Sequence, residues 1–144
     1  MAKLPSEQYL IQQIGGTVIL FECYTERELA RFDPADGRQV AEALDTIRAS
    51  ELGDEDACFA LVWAGYFHAY ADRAPEMVRE TFVTEADDGT VFVMNGTAIV
   101  VSFDPADMNA VALAQKRIYD SGLSQRDKDR AHFWSGFHYG LACQ

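Results

Sequence analysis

The sequence predicts an α+β fold in which one β-hairpin–helix–helix unit is used twice, with the two hairpins joined into an antiparallel sheet that the helices cover. Three observations predict it. Residues 32–71 and 103–142 align without a gap at an offset of 71, and sixteen of the forty aligned positions are identical. Each copy follows two short runs rich in β-branched and aromatic residues, the composition of strands. Within each copy the apolar residues then recur at helical spacing. Identity on that scale implies an internal duplication. Two copies of a long period imply a pseudo-twofold domain, repeats 1–72 and 73–144, rather than a stacked array.

The elements follow in order. Residues 17–24 (TVILFECY) and 29–32 (LARF) read as strands around a polar turn at 25–28. Residues 90–94 and 97–103 read as strands around Asn95-Gly96, a strong hairpin signal. Residues 77–84 alternate well enough to add a strand, with Pro75 offering a short helix instead, and residues 5–14 are equally ambiguous.

Each copy opens on Phe-Asp-Pro-Ala-Asp, a helix start. Asp33 and Asp104 are expected to cap, with Pro34 and Pro105 at the first helical position and Asp36 and Asp107 in the first turn. Capping explains these acids without assigning them to catalysis or metal. Val40, Ala41, Ala43, Leu44 and Ile47 form the buried stripe of the first helix, matched by Val111, Ala112, Ala114 and Ile118. The first helices are expected to end near Ser50 and Ser121, where Gly122 offers a left-handed cap. Ser124 to Asp127 resembles a capping box for the next helix. In copy one that helix is apolar on nearly every side, from Phe59 to Tyr70, and so is expected to be buried. Gly65 and Ala69, like Gly136 and Gly140, are four apart on one face. Glycine inside a helix costs about 1 kcal/mol relative to alanine. Its repeated use predicts that the two second helices cross there, with Trp63 and Trp134 buried beside them.

Composition narrows function. The 23 acids against 12 Lys and Arg give a net charge of -11, which repels nucleic-acid phosphates and disfavours direct DNA or RNA binding. The stretch 57–71 lacks charges but is too short for a membrane span of ~20 residues. Cys23, Cys58 and Cys143 share no metal-ligand spacing and read as reduced, mostly buried thiols of a cytoplasmic protein. No phosphate loop, paired-cysteine motif or nucleophile elbow is present, so no cofactor, metal or catalytic residue is assigned.

The leading expectation is a non-enzymatic protein that binds a macromolecular partner as a regulator, inhibitor or accessory factor. The first half carries 13 acids against 5 bases. A basic protein docking on Glu51, Asp54 and Glu55 of the ELGDED run is the form this would take. The alternative is an enzyme or ligand-binding protein with a pocket of His68, Tyr70, His132 and His138 on the second helices. None of those histidines repeats between copies: His68 aligns with Tyr139, His132 with Leu61 and His138 with Phe67. A symmetric active site is therefore not expected, and hydrogen-bonded core positions are the simpler account of these groups.

Overall fold

The computed structural model describes residues 11–21, 28–50, 54–71 and 82–144. Strands β1 (Ile11–Ile14), β2 (Thr17–Phe21) and β3 (Glu28–Phe32) precede helices α1 (Gly37–Ala49) and α2 (Asp54–Tyr70). Strands β4 (Val83–Glu85), β5 (Val91–Asn95) and β6 (Ala98–Phe103) precede α3 (Met108–Tyr119) and α4 (Gln125–Ala142). The class is α+β, as predicted.

The sheet is not as predicted. The described residues form two three-stranded antiparallel sheets, ordered β1-β2-β3 and β4-β5-β6, in place of one joined sheet. Each hairpin finds its third strand in its own half, because β1 pairs with β2 and β4 with β5. Three strands backed by a helix make a viable small sheet, so neither hairpin needs the other. Residues 5–10, 22–27 and 77–81 lie outside the described residues, while 11–14 and 83–85 are strand. The two ladders share a register feature. Val18 faces Phe32 and Val91 faces Phe103, and each ladder shifts one step after a matched pair, Leu20 with Ala30 and Val93 with Val101. The hairpin turn is Gly96-Thr97, one residue later than expected, since Asn95 still pairs with Ala98. Gly96 takes the positive φ of +62° that this tight turn requires.

The helices start later than predicted as well. Asp-Pro-Ala-Asp at 33–36 and at 104–107 is a β-turn, with the amide of Asp36 donating to Asp33 O (3.0 Å) and that of Asp107 to Asp104 O (3.1 Å). Asp36 and Asp107 are the caps: Asp36 accepts from the amides of Arg38 and Gln39, Asp107 from those of Asn109 and Ala110. Asp33 and Asp104 instead accept from Ala35 N and Ala106 N within the turn. Proline favours the second position of such a turn, which displaces the helix start by three residues. Ser124 caps α4 as expected, accepting from Asp127 N at 3.2 Å. Gly122 is not left-handed: the positive-φ glycines among the described residues are Gly15, Gly89 and Gly96, and Asp120 ends α3 in a right-handed conformation.

α1 packs on β3 and α3 on β6, while α2 and α4 pack chiefly on each other. Val40, Ala43, Leu44 and Ile47 of α1 are buried, as are Val111, Ala114 and Ile118 of α3, although Ala112 is exposed. In α4 every residue from Ala131 to Gly140 is buried. The α2–α4 crossing explains its glycines. A Cβ at Gly65 would strike the carbonyl oxygen of Phe133, and one at Gly136 would strike that of Val62. Val62 and Phe133 are themselves aligned residues, so the contact is reciprocal. Trp63 and Trp134 lie buried beside it, 4% and 2% exposed. Phe32, Phe133, Leu61 and Ile118 are also fully buried, each contributing ~1.5–3 kcal/mol.

Candidate functional site

Where the helix pairs meet, the last turns of α1 and α3 approach the first turns of α2 and α4. Arg48, near the end of α1, makes a two-pronged ion pair with Asp129 of α4, Nε to Oδ2 at 2.8 Å and Nη2 to Oδ1 at 2.6 Å. Gln125 Nε2 donates to the same carboxylate at 3.0 Å. The pair crosses between the halves and is half-buried, with Arg48 30% and Asp129 10% exposed. Such forked geometry fixes orientation as well as charge.

Beside it lies a cavity of about 190 Å³ lined by Arg48, Cys58, Tyr119, Gln125, Lys128 and His132. Positions 125, 128 and 132 recur at helical spacing, which places their side chains on one stripe of α4. Lys128 Nζ donates to Tyr119 O at 2.9 Å, tying α4 to the end of α3. His132 is 1% exposed, and neither ring nitrogen has a hydrogen-bond partner among the described residues. Burial pushes the imidazole down to about 4; Asp129 opposes the shift, while the charges of Arg48 and Lys128 add to it. It is therefore neutral at pH 7, with one nitrogen a donor and the other an acceptor. A second cavity of about 230 Å³ shares Arg48 and Gln125 with the first and is lined also by Leu44, Asp45, Arg126, Asp129 and Arg130.

The structure brings only one of the singled-out histidines to this place. His68 is fully buried and its Nδ1–H donates to Pro34 O at 2.7 Å, fastening α2 to the first Asp-Pro-Ala-Asp turn. His138 lies against Glu85 of β4, Nδ1 3.4 Å from the carboxylate. Tyr70 is 43% exposed at the end of α2, its ring tilted against that of Tyr66, which also meets Tyr139. Burial, with Tyr70 beside it, holds the Tyr66 hydroxyl well above its ordinary range. Glu51 lies outside the described residues, and of Asp54 and Glu55 only their place at the start of α2 is described. Cys58 is buried, Cys143 is exposed rather than buried, and Cys23 is outside the described residues.

Arg48, Gln125 and Lys128 were not candidates in the sequence. A signal existed: Arg48 aligns with Tyr119 and Asp129 with Cys58, so both positions gain charge, of opposite sign, relative to their counterparts. Among the described residues no group of three His, Cys, Asp or Glu is placed to hold a metal ion. No described helix is long and apolar enough to cross a membrane. No family model, curated protein or solved structure matches this chain.

Proposed function

We propose that this chain is a small-ligand-binding protein made by internal duplication, whose ligand enters the cavity where its two halves meet. The observation that carries this reading is His132. A buried polar atom without a partner costs about 1–3 kcal/mol, so two on one ring need a reason to be there. Folding does not supply one, because the aligned position in α2 is Leu61, which is fully buried. A ligand that accepts from one nitrogen and donates to the other supplies it.

The duplication supports the location. Matching caps, matching ladder shifts and reciprocal glycine contacts are what a pseudo-twofold axis through the crossing would produce. Arg48 and Tyr119 are aligned residues, yet both line the one cavity. A cavity that meets both members of an aligned pair belongs on such an axis. One site per chain, made by both halves, follows.

The test is a thermal-shift screen of small metabolites against the parent and His132→Leu. Compounds that raise the parent's melting temperature but not that of the variant support the reading. If no compound separates the two proteins, it fails. A second reading, a basic partner docked through Glu51, Asp54 and Glu55, is favoured by the excess of acids in the first half. Reversing all three to Lys should then weaken partner binding measured at low salt, where surface charge acts at longest range. Unchanged affinity removes that reading.

A further inference from the structure

All four helices contribute to the cavity at His132: Arg48 from α1, Cys58 from α2, Tyr119 from α3, and Gln125, Lys128 and His132 from α4. The cations and the amide on that wall already have partners inside the protein. Arg48 is held by both oxygens of Asp129, and Gln125 Nε2 donates to the same carboxylate. Lys128 Nζ donates to Tyr119 O, at the end of α3 where the helix dipole favours a cation. An anion entering here would have to displace these partners as well as lose its own hydration, and a cation would meet Arg48 and Lys128 themselves. His132 differs from its neighbours. It is 1% exposed, and neither ring nitrogen has a hydrogen-bond partner among the described residues. Neutral at pH 7, it offers one donor and one acceptor and no charge.

Volume sets the size of what fits. A cavity of about 150 Å³ holds benzene, so the 190 Å³ beside His132 has room for one ring with a polar substituent. Cys58 and Tyr119 are the less polar part of the wall and suit the ring itself. Resting on the ligand-binding reading above, we infer that the ligand is a small uncharged molecule of single-ring size, bearing a hydroxyl or amide group that hydrogen-bonds to His132. Hydroxyl and amide groups both donate and accept without carrying charge, so they answer whichever ring nitrogen faces the cavity.

The experiment follows the His132 ring resonances by NMR in the full chain at pH 7 as single-ring probes of similar size are added at matched ionic strength. Phenol and benzamide are neutral with a polar group, toluene is neutral without one, and benzoate and benzylammonium are charged. Saturable shifts are expected with phenol or benzamide. Toluene leaves the ring nitrogens unanswered and should bind about tenfold more weakly, the worth of one hydrogen bond. Benzoate and benzylammonium should bind more weakly than benzamide by at least as much. In His132→Leu, followed through the probes' own resonances, toluene should overtake phenol. If benzoate or benzylammonium binds as tightly as benzamide, or toluene as tightly as phenol, the ligand class is wrong and the ligand-binding reading stands. If nothing moves His132, the cavity holds water alone and both fall.

Discussion

The two central helices are alike where they touch and unlike where they face the cavity. At the crossing, Trp63 and Gly65 of α2 repeat as Trp134 and Gly136 of α4. A turn or two earlier, α2 carries Ala57, Cys58 and Leu61 where α4 carries Lys128, Asp129 and His132. The difference follows from what each position meets. Gly65 faces the backbone of α4 and Gly136 faces the backbone of α2, and a backbone cannot be exchanged for a smaller one. The cavity positions meet side chains and open space, so one member of a pair can gain charge if another side chain answers it, as Arg48 answers Asp129. The aligned residues are identical where a Cβ would strike the facing carbonyl, at Gly65 and Gly136, and differ beside the cavity.

The comparison breaks first at the glycines. Gly136→Ala and Gly65→Ala each place a methyl against a carbonyl and must force the helices apart. Losses at or above the ~1–3 kcal/mol typical of overpacking are expected in urea unfolding of both variants. Gly140→Ala should cost less, because one of its two nearest obstacles is the Ala69 side chain rather than backbone. A Gly65→Ala variant as stable as the parent would show that the crossing is not where stability resides.

Arg48→Met leaves the buried Asp129 with Gln125 as its remaining side-chain hydrogen-bond partner. Complete burial of an orphaned charge costs roughly 3–5 kcal/mol, and exposure of this pair reduces the expected loss to about 1–3 kcal/mol. The paired change Arg48→Met with Asp129→Leu should recover most of it, as a double-mutant cycle would read. No recovery would mean that the charges hold the halves in some other way.

His132→Leu should have the opposite sign. It copies the residue α2 already uses and removes two buried nitrogens, so a gain of ~1–3 kcal/mol is expected at pH 7. It should also remove an acid sensitivity. The folded imidazole titrates near 4 against 6.5 for the unfolded chain. The unfolded state therefore binds more protons between those values. The corresponding stability is fully present above pH 6.5 and lost as pH falls toward 4, on the order of 3 kcal/mol. Urea melts at pH 7 and pH 4.5 should converge in the variant relative to the parent. Equal acid sensitivity in both would assign the effect to the carboxylates.

The smallest effects lie at the helix starts, where the halves should behave as twins. Asp36→Ala and Asp107→Ala should each cost about 0.5–2 kcal/mol as lost caps. Asp33→Ala and Asp104→Ala remove a turn contact and should cost less. A reversed ranking would return the cap to the first aspartate of the motif.

The features legible in the sequence were those decided by neighbours in the chain. Caps, hairpin turns and the buried second helices depend on spacings of two to four residues, and a glycine kept in two helices needs a facing backbone wherever it is. Even there, Pro34 served two local structures equally well, and the turn prevailed over the helix. The separate sheets were less legible. IQQI at 11–14 gives little alternation to mark a strand, so 5–14 reads as ambiguous, whereas the strand offered at 77–84 overlaps β4 at 83–84. The cavity depends on Arg48 and Asp129, 81 residues apart, and nothing local announces such a pairing. Comparing the two aligned segments position by position exposes it as two differences of opposite charge, Arg48 against Tyr119 and Asp129 against Cys58.

The reciprocal crossing also bears on how the chain reaches its fold. Each meander and the helix laid on it close loops within one half, whereas the α2–α4 contacts Gly65–Phe133 and Val62–Gly136 join residues 68 and 74 apart in sequence. Closing the longer loop carries the greater entropic cost, so the halves are expected to order first and dock late. Contacts formed after the transition state govern the unfolding rate rather than the folding rate. Gly65→Ala and Gly136→Ala should therefore steepen escape from the native state while leaving refolding nearly unchanged, and both limbs of a chevron plot would record it. The glycines then act as a latch: they set how long the folded molecule survives more than how quickly it forms.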